Sequence, residues 1–206
     1  MRKEETITVV FAGDDKYAMP MGVAIYSLVS NFWKNPTDYK LKVYVIDCGI
    51  AEENKIKLRE CCQETTKVSL SFLEIPELEQ VDLKAVIIPG TSINFNKAVL
   101  ARLFIPQLLY KQHQKVIYLD SDVLVMSDIS ELWQTEIPDN FEIAGVLDFL
   151  STKIHKDLSS VILIRNAIRK ISLFKQNQSP IHNNFYQDNY YFNSGVLLYK
   201  DLQKLY

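Results

Sequence analysis

Two aspartates separated by a single residue, Asp120 and Asp122, are the side chains whose type and spacing best suit chemistry. They follow Val116–Leu119, a β-branched and aromatic run that is too short for a helix and is typical of a strand buried on both faces. Side chains alternate along an extended backbone, so both carboxylates point to one side and Ser121 points to the other. Two carboxylates in one small volume repel each other, and a hard divalent cation with oxygen ligands would relieve that repulsion.

The D-x-D pattern also has a purely structural interpretation, in which Asp120 and Asp122 only end a strand and cap the element that follows. The apolar run Val123–Met126 comes directly after the pair. We expect this run to be buried, so that the two acids are fixed between two buried segments. With both flanking runs considered, the structural and the metal-binding interpretations are about equally supported, and the rest of the sequence has to decide between them.

Acids also follow two other predicted strands. The strand Thr6–Phe11 leads into Asp14 and Asp15, and the strand Ile143–Leu147 ends at Asp148. In open α/β sheets, ligands bind beyond the carboxyl ends of the strands. These three aspartates are therefore candidates for the same edge of the sheet as Asp120 and Asp122.

Two further positions at this predicted edge suit ligand binding. Arg102 is the single charge in the apolar middle of a predicted helix, and a buried guanidinium either extends to solvent or reaches an acid or a phosphate. The predicted strand 190–199 is interrupted by Asn193, Ser194 and Gly195. Glycine inside a strand indicates either a bulge or a ligand pressed against the backbone.

Strands and helices alternate through the first half of the chain, which is the pattern of a parallel sheet with right-handed crossover connections. The predicted strands are Thr6–Phe11, Leu41–Ile46 and Val68–Ile75, and the predicted helices are Pro20–Asn31, with apolar face Val23, Ile25, Leu28 and Val29, and Ala51–Glu64. A helix over 96–110 should be kinked or divided by Pro106. A short helix begins near Ser127 or Asp128 and packs through Leu132 and Trp133, and another helix is predicted around Val161–Leu173. Neither G-x-G-x-x-G nor G-K-[ST] occurs, which disfavours dinucleotide oxidoreductases and P-loop nucleotidases.

Composition narrows the function classes further. The 206 residues are enough for one large α/β domain, and the net charge of −2, without a dense basic patch, disfavours nucleic acid as a partner. The three cysteines have neither a disulfide framework nor zinc spacing, and the N-terminus does not resemble a secretory signal. No run is long enough to cross a bilayer. We therefore expect a cytoplasmic protein with reduced thiols.

Six segments in order resemble glycosyltransferase family 8, which includes glycogenin and bacterial lipopolysaccharide galactosyl- and glucosyltransferases. The segments are F-A-G-D-D-K-Y, L-A-R-L-F, V-I-Y-L-D-S-D-V-L-V, a short helix ending in L-W, G-V-L-D-F and Y-F-N-S-G-V-L-L. The resemblance covers nearly the whole chain and implies a single α/β domain of the GT-A type over 1–206, with a Rossmann-like, mostly parallel sheet flanked by helices. It further implies a nucleotide-sugar-binding half, 1–126, and a sugar- and acceptor-side half, 127–206, that is incomplete at its C-terminus.

The resemblance also implies a nucleoside pocket. Asp14 would bind the uracil of a UDP-sugar, and Ala12 and Tyr17 would shape the base pocket. Relatives often have asparagine two places after this aspartate, where this chain has Lys16. Arg102 would contact the donor.

For the rest of the donor, the resemblance implies a metal site and a carbohydrate site. Asp120 and Asp122 would hold Mn²⁺ or Mg²⁺ against the diphosphate, and Asp120 would also lie near the ribose. The positions facing the transferred sugar would be Asp148 and Asn193, through their side chains, and Ser194 and Gly195, through their backbone.

The implied activity is metal-dependent transfer of a hexose, from UDP-galactose or UDP-glucose, to a glycan or glycolipid acceptor with retention of anomeric configuration. The implied location is the cytoplasm, including the inner face of the membrane. Relatives continue to an H-x-x-G-x-x-K-P-W motif that this chain lacks, and His113, His155 and His182 stand in other contexts. A catalytically impaired nucleotide-sugar-binding remnant is therefore one alternative. A phosphohydrolase of the haloacid dehalogenase type, which also has D-x-D after a buried strand, is the other.

Overall fold

The computed structural model describes residues 5–34, 39–63, 65–75, 97–147 and 192–206. The chain divides into two compact units, of which the first comprises Met1–Val81, Asn96–Gly145 and Ser194–Tyr206, and the second Asp82–Phe95 and Val146–Asn193. Nearly all described residues belong to the first unit. Asp148, His155, His182 and the predicted helix around 161–173 lie outside the described residues, and the division into halves at residue 126 stays a prediction.

The described strands form one sheet of six strands in the order β3-β2-β1-β4-β6-β5. Their bounds are β1 Thr6–Gly13, β2 Lys40–Asp47, β3 Val68–Glu74, β4 Val116–Leu119, β5 Ile143–Leu147 and β6 Phe192–Tyr199. Strands β3, β2, β1 and β4 are mutually parallel, and β6 is antiparallel to β4. The predicted mostly parallel α/β sheet is therefore confirmed.

The central strands β1 and β4 are buried on both faces because they are apolar at nearly every position. Ile7, Val9 and Phe11 of β1 belong to one apolar cluster, whereas Val10 and Ala12 belong to a second. Alternate side chains of a strand point to opposite faces, so each cluster covers one face of the sheet. All four residues of β4 are buried, as the sequence predicts.

Helices pack against the sheet on both sides. Their bounds are α1 Ala18–Lys34, α2 Glu52–Cys62, α3 Lys97–Ala101, α4 Ile105–Leu109, α5 Ile129–Gln134 and α6 Leu202–Leu205. In α1, Ile25, Leu28 and Val29 are buried as predicted, but Val23 is 57% exposed, so its assignment to the apolar face was wrong. The buried stripe of α1 instead runs through the small residues Gly22 and Ala24.

The segment before β4 is helical but divided. α3 and α4 are separated by a 3-10 turn, Arg102–Phe104, and Pro106 lies in the first turn of α4. Proline is tolerated there because the first helical N–H groups have no partner within the helix. The predicted division at Pro106 is thus confirmed.

Two expectations about the strands next to the acids were wrong. In the run Val123–Met126, Leu124 and Met126 are 57% and 75% exposed, because the chain leaves the sheet after β4 and runs along α1. β6 is continuous through Asn193, Ser194 and Gly195 and is not interrupted there. Within the described ranges, no helix is both long and apolar enough to span a bilayer.

The two faces of α1 predict opposite mutational effects. Ile25→Ala removes a fully buried side chain and is expected to lower the free energy of unfolding by about 2–5 kcal/mol. Val23→Ala on the exposed face is expected to change it by no more than about 0.5 kcal/mol. Urea denaturation followed by circular dichroism measures both, and equal losses in the two variants would contradict the burial described here.

Candidate active site

The site lies where the strand order changes direction. β1, β2 and β3 follow one another to one side, whereas β4 lies on the other side of β1. Ligands of open α/β sheets bind in the crevice at the carboxyl ends of the strands at such a point. Since Val10 of β1 pairs with Tyr118 of β4, Ala12 and Asp120 lie at the same level of the two strands.

The turn after β1 is held by two aspartates with different partners. Asp14 accepts a hydrogen bond from the backbone N–H of Lys16, 3.1 Å away, and so caps the 3-10 turn Asp15–Tyr17. Asp15 accepts hydrogen bonds from the backbone N–H of Ala51 and from Nδ2 of Asn54, both at 2.8 Å. Asp15 therefore joins this turn to the start of α2, and these hydrogen bonds lower its pKa.

The turn after β2 is held by a third aspartate. Oδ1 of Asp47 accepts hydrogen bonds from the backbone N–H groups of Gly49 and Ile50, and Oδ2 lies 2.7 Å from Nζ of Lys55. Partial burial alone would raise the pKa of Asp47, but the hydrogen bonds from Ile50, Lys55 and Gly49 outweigh it and the pKa is lowered. The carboxylates of Asp15 and Asp47 thus stabilise the two turns at this edge.

The turns after β1 and β4 are locked together. The hydroxyl of Ser121 is buried and donates to the backbone oxygen of Ala12 at 2.8 Å. A Cβ at Gly13 would lie 2.5 Å from Cε of Met21 and 3.2 Å from Oγ of Ser121, so glycine allows this close approach without a shift of either side chain. Ser121 is buried, whereas Asp120 is half-buried and Asp122 is exposed. The extended backbone expected here was wrong, because β4 ends at Leu119 and the N–H of Val123 donates to the oxygen of Asp120 in a turn. A shared side for the two carboxylates stays a prediction.

Asp120 and Arg102 form an ion pair at this edge. Nη2 of Arg102 lies 3.0 Å from Oδ1 of Asp120, and only 12% of the arginine side chain is exposed. The guanidinium lies over the ring of Tyr118, with Cζ 4.9 Å from the ring centroid. Of the two predicted alternatives for Arg102, reaching an acid is therefore the correct one.

The same guanidinium reaches β6. Nη1 of Arg102 donates to the backbone oxygen and to Oγ of Ser194, at 2.6 Å and 2.9 Å. The backbone N–H of Asp120 donates to the oxygen of Gly195, at 2.8 Å. Four predicted site residues, Arg102, Asp120, Ser194 and Gly195, are thus brought into direct contact.

Tyr118 is a component of this cluster that the sequence did not single out. Its hydroxyl donates to Oδ1 of Asp120 at 2.6 Å. Burial raises the pKa of Tyr118 well above its ordinary value, and the negative charge of Asp120 adds to that increase, whereas Arg102 opposes it. The available signal was the i, i+2 spacing, which puts Tyr118 and Asp120 on one face of the strand.

The remaining predicted site residues lie as follows. Ala12 is buried at the end of β1, Tyr17 is 45% exposed in the turn that follows, and Asn193 is exposed on β6. Asp148 lies outside the described residues. Within the described part of the chain, no group of three or more His, Cys, Asp or Glu side chains is placed to hold a metal ion.

His113 does not supply a metal ligand in this structure. Its Nδ1 lies 3.1 Å from Oγ1 of Thr8 and its Nε2 lies 2.9 Å from the hydroxyl of Tyr44. Burial lowers the pKa of His113, and the nearby charge of Lys42 lowers it further. Both ring nitrogens are occupied by these contacts, which agrees with the expectation that His113 stands in a different context from the motif histidine of the relatives.

Comparison with known families decides how this edge is interpreted. The model of glycosyl transferase family 8 matches residues 8–204. The chain belongs to this family. The match covers the β1 turn, the Arg102 segment, the D-x-D pair and β6 together, and it favours the transferase over the phosphohydrolase alternative.

The chain is similar in sequence to two relatives, over only part of the length of each. The chain is 36% identical over 149 residues to "General stress protein A" of Bacillus subtilis, covering 72% of this chain and 48% of that protein. It is 32% identical over 142 residues to human "Glycosyltransferase 8 domain-containing protein 2", covering 66% and 36%. The chain thus spans about half or less of the length of these relatives.

The solved structures confirm the GT-A fold. The galactosyltransferase LgtC, in complex with donor and acceptor sugar analogs, superimposes with a TM-score of 0.61 at 23% identity, over 96% of this chain and 59% of that chain. The bifunctional glycosyltransferase WbbM superimposes with a TM-score of 0.64 at 23% identity, over 97% and 32%. Core-mannan synthase A from Aspergillus fumigatus, in a Mn/GDP form, gives 0.55 at 12% identity, over 98% and 60%.

The shielded ion pair predicts a large mutational effect. Arg102→Met removes the cation that faces Asp120 and the donors that bind Ser194, so the free energy of unfolding should fall by about 3 kcal/mol. The control, Lys57→Met, removes the exposed pair with Glu53 and should change stability little. Urea denaturation compares the two, and similar small losses would contradict a structural role for the Arg102 pair.

The lowered pKa of Asp47 predicts how stability depends on pH. A carboxyl group with a folded-state pKa below its unfolded value of about 3.9 stabilises the protein above that pH, and the contribution is lost as the pH falls toward the folded-state pKa. Asp47→Asn should therefore reduce the loss of stability on acidification, and Lys55→Gln should reduce it less because both backbone hydrogen bonds remain. Urea midpoints measured between about pH 6 and pH 3 test this, and a wild-type slope in Asp47→Asn would contradict it.

Proposed function

We propose that this chain carries the donor site of a metal-dependent, retaining glycosyltransferase that moves a hexose from UDP-galactose or UDP-glucose to a glycan or glycolipid acceptor. The observation that carries the proposal is the cluster of Arg102, Asp120, Ser194 and Gly195 at the strand-order switch point. Ligands of open α/β sheets bind at such a switch point, and membership of glycosyltransferase family 8 supports a sugar nucleotide as the ligand here.

The nucleoside would bind at the turn after β1. Asp14 is fixed there by its hydrogen bond to the N–H of Lys16, and the ring of Tyr17 is 45% exposed and available to a base. Asp15 anchors the turn on α2 from outside. The uracil would therefore contact the carboxylate of Asp14 and the ring of Tyr17, on a turn that hydrogen bonds hold at both ends.

The carboxylates of the D-x-D pair fit a divalent cation. Among the described residues, Oδ2 of Asp120 receives no hydrogen bond, and the exposed Asp122 makes none. Mg²⁺ is commonly bound by one or two carboxylates, with substrate phosphates and water as the remaining ligands. Asp120 and Asp122 would thus hold Mn²⁺ or Mg²⁺, and the bound ion would stabilise the charge on the departing diphosphate as a Lewis acid.

The side chains of the site would then act on the sugar. Transfer breaks the bond between sugar C1 and the diphosphate oxygen and forms a bond from C1 to the acceptor hydroxyl oxygen. The acceptor attacks the face from which the diphosphate leaves, and its proton passes to the leaving phosphate, so configuration is retained. Arg102 would hold Asp120 and β6 in register while Ser194 and Gly195 orient the sugar.

Two further observations bear on substrate and setting. LgtC, a galactosyltransferase of the same fold, was solved with donor and acceptor sugar analogs, which supports a hexose donor, and the Mn/GDP form of core-mannan synthase A supports a metal. We further propose that the reaction takes place in the cytoplasm, including the inner face of the membrane. A trapped covalent sugar on Asp148 would contradict the same-face mechanism.

The proposal is tested by ligand binding and turnover. UDP-galactose or UDP-glucose with Mn²⁺ is expected to raise the melting temperature. At a ligand concentration of 100 times the Kd, binding adds about 2.7 kcal/mol to the free energy of unfolding. UDP-GlcNAc is expected to raise the melting temperature less. Release of UDP is expected to require Mn²⁺ or Mg²⁺. Asp120→Asn and Asp122→Asn should each reduce this turnover about 100-fold.

Asp139→Asn serves as the matched control, because Asp139 is exposed and paired with Lys200 away from the D-x-D pair. It should retain wild-type turnover. Binding of UDP-sugar without any turnover would support the nucleotide-sugar-binding remnant instead. Absence of binding to every UDP-sugar, with or without metal, would contradict the donor site.

A further inference from the structure

Tyr118 makes two separate contacts within the candidate site. Its ring is 1% exposed in the middle of the sheet, and its hydroxyl emerges at the carboxyl edge, 2.6 Å from Oδ1 of Asp120. The guanidinium of Arg102 lies over its ring face. A buried tyrosine needs a polar partner for its hydroxyl, and here that partner is one of the two predicted metal ligands.

Both donors to Asp120 act on the same carboxylate oxygen. Tyr118 Oη and Arg102 Nη2 approach Oδ1, at 2.6 Å and 3.0 Å. Among the described residues, none donates a hydrogen bond to Oδ2. With Oδ1 anchored from two directions, rotation of the carboxylate about the Cβ–Cγ bond is restricted, and Oδ2 is the oxygen left to face a ligand.

We propose that Tyr118 is a positioning residue that fixes the Asp120 carboxylate so that it binds the metal ion through Oδ2 alone. This inference rests on the proposed metal-dependent function. Hydrogen-bond partners orient the groups that ligate a metal, and the loss of such a partner typically costs about 10–100-fold in metal affinity. Tyr118 acts through Asp120 and does not itself touch the metal.

Arg102 by itself cannot fix the orientation of the Asp120 carboxylate. It is tied to Val99, Ser194 and Asp120, so its position is set by the backbone of two other elements. A carboxylate held by a single donor can still rotate about the axis of that contact. The tyrosine hydroxyl is attached to the same strand as Asp120, two residues away, and supplies the second fixed point.

The test is Mn²⁺ binding, followed by the electron paramagnetic resonance signal of the free ion, in the presence of UDP. Tyr118→Phe keeps the ring under Arg102 and removes only the hydroxyl. We expect its Kd for Mn²⁺ to rise about 10-fold. Tyr44→Phe is the matched control, because Tyr44 lies on β2, is also buried, and has its hydroxyl in contact with Gln112 and His113 instead of Asp120. The Kd of this variant for Mn²⁺ should equal that of wild type.

Several outcomes separate this inference from the proposed function. If wild type binds Mn²⁺ and Tyr118→Phe binds it within twofold of wild type, or more tightly, the positioning role is overturned while the metal site stands. If wild type itself fails to bind Mn²⁺, the proposed metal site is overturned and the role of Tyr118 with it. If Tyr118→Phe and Tyr44→Phe weaken binding equally, the effect is general destabilisation, and the positioning role is overturned.

Discussion

The ion pair between Arg102 and Asp120 connects three parts of the fold: the 3-10 turn before α4, the end of β4 and the edge of β6. Its position follows from the sheet order, because β4 lies between β1 and β6. A guanidinium only 12% exposed needs an acid and several acceptors nearby, and the ends of these strands supply them. The geometry of the candidate site is therefore a consequence of how the sheet is assembled.

Acids at this edge divide into two groups with different roles. Asp15 and Asp47 accept hydrogen bonds from backbone N–H groups, and Asp47 also pairs with Lys55. Both acids therefore stabilise the turns after β1 and β2. Asp120 and Asp122 retain carboxylate oxygens without hydrogen bonds among the described residues. A cluster of acids at a sheet edge is thus only partly available for ligands, and the hydrogen-bond partners show which part.

Close packing behind the edge keeps these groups in place. Ser121 reaches the backbone of β1, and Gly13 leaves room for the side chains of Met21 and Ser121 beside it. Burial of β4 on both faces leaves it little freedom to shift. A rigid edge of this kind suits a site that must present carboxylates in a fixed orientation.

Local sequence pattern determined the elements and their polarity. The apolar runs of β1, β2, β3 and β4 predicted buried parallel strands. These features depend on neighbours within a few residues, which is why they can be deduced without a structure. The order of six weak motifs likewise indicated the family.

Tertiary structure alone decided which groups meet. Arg102 and Ser194 are 92 residues apart in the chain, and only the pairing of β4 with β6 brings them together. The hydrogen bond from the Tyr118 hydroxyl to the Asp120 carboxylate depends on the rotamers of both side chains, which the sequence does not give. The exposure of Val23 and Met126 depends on what packs against them and not on their own hydrophobicity. Hydrophobic periodicity is a local property, whereas the partners of a charge are set by long-range strand order, so the sequence determined the scaffold and the fold determined the site.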